Sequence, residues 1–182
     1  MDIRRDANIS DCGKYRLLLS RIWNSSDASP ASIFYQPPKQ LVFVMLNPST
    51  ADAYKDDPTI RRCIGFGQRN GYDMIHVANL YTGRATKPDD LFRMADPAGP
   101  ECERVWSKMK ASSADIICAW GADKRAKSQA SKFLAYFSGR ELYCLGTTKD
   151  GSPKHPLYLP NDTKMQPFTA YKEAALSQGG AL

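Results

Sequence analysis

Apolar, β-branched segments that alternate with stretches carrying helix punctuation predict an α/β domain, a three-layer α/β/α arrangement around a central, mainly parallel four-stranded sheet. Leu41 to Met45, LVFVM, has no charge and no polar alternation, the pattern of a strand covered on both faces. That run breaks abruptly at Asn47-Pro48-Ser49-Thr50, and the segment that follows carries the signals of a helix before the next apolar run begins. The same alternation recurs down the chain.

Residues 1–40 read as an N-terminal extension of one domain spanning 1–182. Within it Tyr15 to Trp23, YRLLLSRIW, mixes apolar and basic residues and fits an edge strand better than a short helix. SSDASPAS at Ser25 to Ser32 is a loop by composition, and Pro37-Pro38 closes the approach to Leu41. In DDPTIRRCIGFGQRNGY, Asp57 suits a cap and Pro58 the first helical position, while Ile60, Ile64 and Gly67 recur on one face before Gly71. MIHVANLY at Met74 to Tyr81 is a second buried strand, with His76 inside it as a structural residue. Pro88 and Asp89-Asp90 open a further helix, and Pro100 to Ala111 has an apolar face through Cys102, Val105 and Met109. DIICAWG is the third strand. Lys124 to Phe137 is a helix with Ala126, Ala130, Phe133, Leu134 and Phe137 inward, and ELYCLG is the fourth strand. A loop with prolines on both sides of His155 follows, and Pro167 to Leu176 is expected to close the chain as a helix.

The formal charge of +6 favours a polyanionic partner without identifying one, since runs such as Lys124, Arg125 and Lys127 also suit a solvated helix face. Five cysteines without CxxC spacing, and only two histidines, argue against a zinc site or iron-sulfur cluster and for reduced core thiols. No metal and no cofactor is expected. With no apolar leader and no run approaching the roughly 18 residues of a membrane span, the expectation is a cytoplasmic, soluble monomer that binds no membrane.

Asn47-Pro48, Asn79, Trp120-Gly121 and His155-Pro156 each follow a strand-like run. Ligands in open parallel sheets sit outside the carboxyl ends of strands, so these groups are predicted to meet at one edge. Plainer readings stand beside the functional ones: Asn47 and Asn79 as turn formers, Trp120 as core packing and, in the segment after Thr50, Asp57 as a cap.

LNPSTAD followed by DDPTIRRC resembles an uncharacterised bacterial and phage family of unknown function, DUF1643, over nearly the whole chain. A more distant resemblance implies chemistry. MLNP at Met45 to Pro48, VANLYTGRATKPDDL at Val77 to Leu91 and KHPLYLP at Lys154 to Pro160 are similar, in order and spacing, to motifs of the uracil-DNA glycosylase superfamily. There a strand ends in a Gly-x-acid/amide-Pro loop, a later strand ends in Asn, and a late loop carries His-Pro. This chain departs from that pattern with Met45 in the glycine position, Ser49 after the proline, and none of the cluster cysteines of the iron-sulfur branch.

The resemblance implies a uracil-DNA-glycosylase-like fold and hydrolysis of an N-glycosidic bond to a uracil-like or modified base in nucleic acid, most simply DNA. It would make Asn47 the holder of the attacking water, His155 the donor to the departing base, and Asn79 the reader of the base edge. Pro48, Ser49, Thr50, Lys154 and Pro156 would grip the substrate; independently of the resemblance, Trp120, an aromatic at a strand tip, is a candidate to stack a base. DDPTIRRC is not part of the glycosylase pattern, but its residues follow the NPST loop directly: there Asp56 or Asp57 would supply the general base that an amide cannot be, and Arg61 or Arg62 would hold a phosphate. Two other readings stand beside this one: a non-catalytic nucleic-acid or modified-base binding module, and a hydrolase of a free nucleotide or nucleoside.

Overall fold

The computed structural model describes residues 2–24, 35–49 and 51–169. In chain order the strands are β1 (Arg4–Ile9), β2 (Arg16–Ile22), β3 (Gln40–Met45), β4 (Met74–Asn79), β5 (Asp115–Cys118), β6 (Tyr143–Cys144) and β7 (Gln166–Pro167). The α-helices are α1 (Pro58–Arg69), α2 (Pro88–Phe92), α3 (Cys102–Ala111) and α4 (Lys127–Tyr136). The strands join in one seven-stranded sheet of order β1-β2-β4-β3-β5-β6-β7. None of the helices among the described residues is long and apolar enough to cross a membrane.

The sheet is larger than the four strands expected. The four expected strands are its parallel centre, β4-β3-β5-β6, and antiparallel strands extend it on both sides. β1 escapes a pattern search because RRDANI is polar and largely exposed, the usual dress of an edge strand that must not recruit another chain. With β1 outside it, β2 is an interior strand, which explains why most of it is buried. Pro167 lies in β7 and starts no helix there; residues 170–176 of the expected closing helix, like the 25–32 loop, lie outside the described residues.

Successive residues of β3 alternate between two cores. Val42 and Val44 pack with Trp106, Phe133 and Phe137 on the face of α3 and α4, whereas Leu41, Phe43 and Met45 pack with Ile60, Ile64 and Phe66 on the face of α1. A strand used on both faces has no position to give to a polar side chain, hence its uninterrupted apolar run.

The α1 punctuation works as its residues suggest. Asp57 accepts the Ile60 N–H at 2.8 Å, Pro58 follows it, and Gly71 leaves the helix at φ +74°. At Gly67 an added Cβ would stand 2.8 Å from Ile75 Cγ2 and 2.9 Å from Trp23 Cη2, so glycine there lets α1 sit down on β4. Of the five cysteines, Cys63, Cys102, Cys118 and Cys144 are buried free thiols, while Cys12 is exposed.

The segment between β3 and α1 is pinned from beneath by β2. Arg21 is 0% exposed, yet every nitrogen of its guanidinium is used. Nε donates to Asp56 Oδ1 at 2.7 Å, Nη2 to the Asp52 carbonyl at 2.6 Å, and Nη1 to the carbonyls of Ser20 and Asp6. Removing the carboxylate leaves a buried cation without its counter-ion. Asp56→Asn should therefore lower unfolding free energy by about 3 kcal/mol in chemical denaturation, and Arg21→Met combined with Asp56→Leu should recover most of that loss.

Candidate functional site

The connections around β3 create a crevice at one end of the sheet. β3 runs through α1, on one face, into β4; its other neighbour β5 runs through α4, on the opposite face, into β6. The loops leaving these two adjacent parallel strands diverge, and the gap between them is the usual ligand position in a sheet of this kind. Here a cleft of about 710 Å³ opens, lined by Asn47, Ser49, Trp120, Lys154, His155 and Tyr158 among others.

Backbone hydrogen bonds beyond the strand ends lock the loops together. Leu80 and Tyr81 donate to the carbonyls of Met45 and Leu46, Ala119 to Val44, Ala85 to Pro48, and Gly121 to Pro153. The β6 loop closes on itself as Lys154 donates to the Gly146 carbonyl at 2.9 Å. Arg62 fastens that loop to α1, donating to the Pro156 carbonyl at 3.5 Å and to Asn161 Oδ1.

His155 is half-buried, and its Nδ1 accepts the Leu157 N–H at 3.3 Å at the start of a short 3₁₀ turn, Pro156–Tyr158. That bond requires an unprotonated Nδ1, so the neutral ring carries its proton on Nε2. Burial pulls His155 below the ordinary 6.5, against the attraction of Asp57. At neutral pH the cleft thus receives an uncharged Nε2–H donor.

Asn47 is oriented as firmly. Its Nδ2 donates to the carbonyls of Pro48 at 3.0 Å and Ala85 at 2.7 Å, which ties the β3 loop to the β4 loop. With the nitrogen committed, Oδ1 is the end left for a ligand: it accepts no hydrogen bond from the described residues. An amide oxygen held in this way accepts from water or from an N–H and takes no proton.

Other residues singled out from the sequence are placed elsewhere. Asn79 is 2% exposed and does not line the cleft; its amide nitrogen, in the orientation that satisfies it, donates to the Asn47 and Ala78 carbonyls at 3.3 Å, so it supports the loop from behind. Asp56 lies away from the cleft in its bond to Arg21, with Arg5 at 3.6 Å from the other oxygen. Asp57 is the α1 cap, and its charge acts on His155 and on Arg16. Arg61 donates to the Asp56 carbonyl at 2.6 Å on the surface. Pro48 and Pro156 are buried loop residues, and Thr50 lies outside the described residues. Trp120 is both core and wall: its ring packs edge-on against Phe133 and Phe168 while it lines the cleft.

Sequence reasoning passed over Tyr158, Thr148 and Thr86, which also line the cleft, and Arg16 and Arg84 near the β3 loop. Tyr158 is 84% exposed at the rim, its ring 6.2 Å from that of His155. The signal for Arg16 was in plain view, a charge inside an apolar strand. Among the described residues no group of three or more His, Cys, Asp or Glu is placed to hold a metal ion.

Because the folded value of His155 lies below its unfolded one, its contribution to stability is fully present above about pH 6.5 and is lost as pH falls through the lower, folded value. Nitrogen-15 NMR of the imidazoles should report an Nε2–H tautomer for His155 and a titration midpoint below 6.5. A midpoint at or above 6.5, or an Nδ1–H tautomer, would contradict this orientation of the ring.

No curated protein and no solved structure is similar enough to this chain to match it. The family described as "Protein of unknown function (DUF1643)" matches residues 16–157, from the start of β2 through His155-Pro156 to Leu157. That span holds the central strands and every described residue assigned to the cleft except Tyr158 and Leu159 at its rim, and the chain belongs to this family.

Proposed function

We propose that the cleft receives a nucleobase extruded from a nucleic acid strand and that the protein hydrolyses its N-glycosidic bond, the base being uracil-like or modified. The single observation that carries this reading is the pairing, in one cleft, of a neutral Nε2–H donor on His155 with the immobilised Oδ1 acceptor of Asn47. In such a reaction the C1′–N bond breaks, its electron pair leaves with the base, and an oxocarbenium-like sugar forms. His155 donates to a carbonyl oxygen of the base as charge collects there, and needs no proton transfer to do so. Asn47 Oδ1 accepts a hydrogen bond from a water whose oxygen attacks C1′; the proton it loses ends, through solvent, on the released base. Tyr158, exposed at the rim, offers aromatic surface for stacking, and Trp120, largely buried, closes the wall beside it.

The electrostatics of the cleft agree with a leaving anion. Lys154 contributes positive charge to its lining, and no carboxylate lines it among the described residues. The distant resemblance to uracil-DNA glycosylases supports the same reading through Asn47-Pro48 and His155-Pro156.

The missing carboxylate also favours a second reading, a module that binds a base without cleaving it. No carboxylate among the described residues of the cleft is there to take the proton of the attacking water, and Asp56, the obvious candidate, is held by Arg21.

Incubation with single- and double-stranded oligonucleotides carrying uracil, hypoxanthine, xanthine or 5-hydroxymethyluracil, with released base read by mass spectrometry, separates the two. The expected result is release of at least one base, slowed roughly 100-fold or more in His155→Ala and abolished when Asn47→Ala is added. Binding that weakens as salt rises, with no release from any substrate, would sink the hydrolase and leave the binding module.

A further inference from the structure

Two arginines beside the β3 loop stand in contrast to Arg21. Arg16 begins β2, and because β2 runs antiparallel to β4 its first residue lies at the same end of the sheet as the cleft. It is 2% exposed, yet among the described residues it makes one side-chain hydrogen bond, from Nη1 to the Ala51 carbonyl at 2.7 Å. Its Nε is buried with no partner. Arg84, in the β4 loop, repeats the pattern: Nη1 donates to the Gly13 carbonyl at 3.1 Å and its buried Nε has no partner among the described residues. Neither takes part in an ion pair among the described residues.

The two guanidinium groups also feel each other. Burial is the main influence pulling Arg16 down, to about 10; Asp57 opposes it, and the positive charges of Arg84 and then Arg21 add to it. Arg16 therefore stays charged at neutral pH. Asp57 and, to a smaller extent, Asp52 help in charge, but the Oδ1 of each is already engaged, in capping α1 and in accepting the Tyr54 and Lys55 N–H groups. Two neighbouring cations with orphaned buried donors are a costly arrangement that an anion would relieve.

Space for one exists. A hollow of about 400 Å³ beside the cleft is lined by Lys14, Ser49 and Arg84, has no carboxylate in its lining, and shares Ser49, Ala85 and Thr86 with the cleft. Arg16 does not line the hollow; it is buried behind it, where it holds the carbonyl of Ala51, two residues beyond Ser49. A tetrahedral oxyanion with several acceptor oxygens suits the planar, forked donors of arginine better than a simple counter-ion does.

We propose that Arg84, Lys14 and Ser49, backed by the buried charge of Arg16, form a binding site for a phosphate group next to the cleft. Its position relative to the cleft rests on the nucleobase reading, since a phosphate there would belong to the nucleotide whose base, or whose neighbour's base, enters the cleft. The site itself follows from the orphaned arginines and stands without the hydrolytic step. The phosphate is either a diester of a nucleic acid strand or the monoester of a free nucleotide.

Calorimetry of the full chain in a phosphate-free buffer, titrated with inorganic phosphate at constant ionic strength, tests it directly. The wild type should bind phosphate, and Arg84→Gln, a half-buried position, should weaken that binding at least tenfold while keeping the wild-type circular dichroism spectrum. Arg16→Met, which removes the buried charge behind the site, is the second variant and should also weaken it. No phosphate binding by the wild type, or unchanged binding by a folded Arg84→Gln, would overturn the proposal. Competition then identifies the source: displacement of phosphate by a short single-stranded oligonucleotide at concentrations where a nucleoside 5′-monophosphate fails points to a diester, and the reverse to a free nucleotide. Phosphate binding without base release would leave this site standing and remove the hydrolase; base release without phosphate binding would do the opposite.

Discussion

β3 is hydrogen-bonded on both edges and covered on both faces, and the rest of the architecture answers to that constraint. Its neighbours β4 and β5 satisfy its backbone groups, and its side chains alternate into the α1 core and the α3/α4 core. Chain that is fully enclosed has no polar surface to offer until it emerges. The emergence is Leu46-Asn47, where the two cores part and the connections on either side leave for opposite faces. A cleft at this point is a consequence of the strand order, and Asn47 stands in it because it is where β3 runs out of partners.

Polar groups at this end of the sheet divide into those that hold the loops and those left with something to give. Arg21, Asp56, Asp57, Arg62 and Asn79 belong to the first group: each is spent on a carbonyl, a carboxylate, a helix end or a loop. Asn47 and His155 straddle the division. One end of each is consumed in fixing its orientation, the Nδ2 of Asn47 on two carbonyls and the Nδ1 of His155 on a backbone N–H. The opposite end is thereby defined, an acceptor in one case and a neutral donor in the other. Preorganisation of this sort is what makes a polar group effective against a charge that develops in a low-dielectric site, because little reorientation is needed when the charge appears.

The charge distribution around the cleft follows the same economy. Carboxylates near it are already engaged by arginine, by a helix end or by the N–H and hydroxyl groups of their own turns, and among the described residues no carboxylate lines the cleft or the hollow beside it, where Lys154, Lys14 and Arg84 stand. The two buried arginines of β2 show that burial alone does not account for this. Arg21 has a bond for each of its nitrogens, whereas Arg16, five residues earlier on the same strand, has one side-chain bond among the described residues.

Much of the frame was legible in the chain. The apolar runs at β3, β4 and β5, the Asp57-Pro58 start of α1 with Gly71 after it, and the alternation that implies parallel strands are local signals, set by steric preference, capping and burial period. β1 and β7 were not legible, because a polar edge strand and a two-residue strand have no hydrophobic pattern, and pairing with a neighbour is what makes them strands. The side chains at the strand ends were also visible as candidates, since Asn-Pro and His-Pro stand out after apolar runs. Their division of labour was not. Asn79 and Asn47 have the same chemistry and the same kind of position, yet one is sealed behind the loop and the other opens into the cleft. Asp56 looked free for catalysis until Arg21, far away in sequence, closed on it. The sequence by itself determined which residues are apolar enough to be enclosed and which are polar enough to act. The tertiary structure alone decided which polar groups are already satisfied, because hydrogen-bond partners and counter-ions come from strands and loops that only the fold brings together.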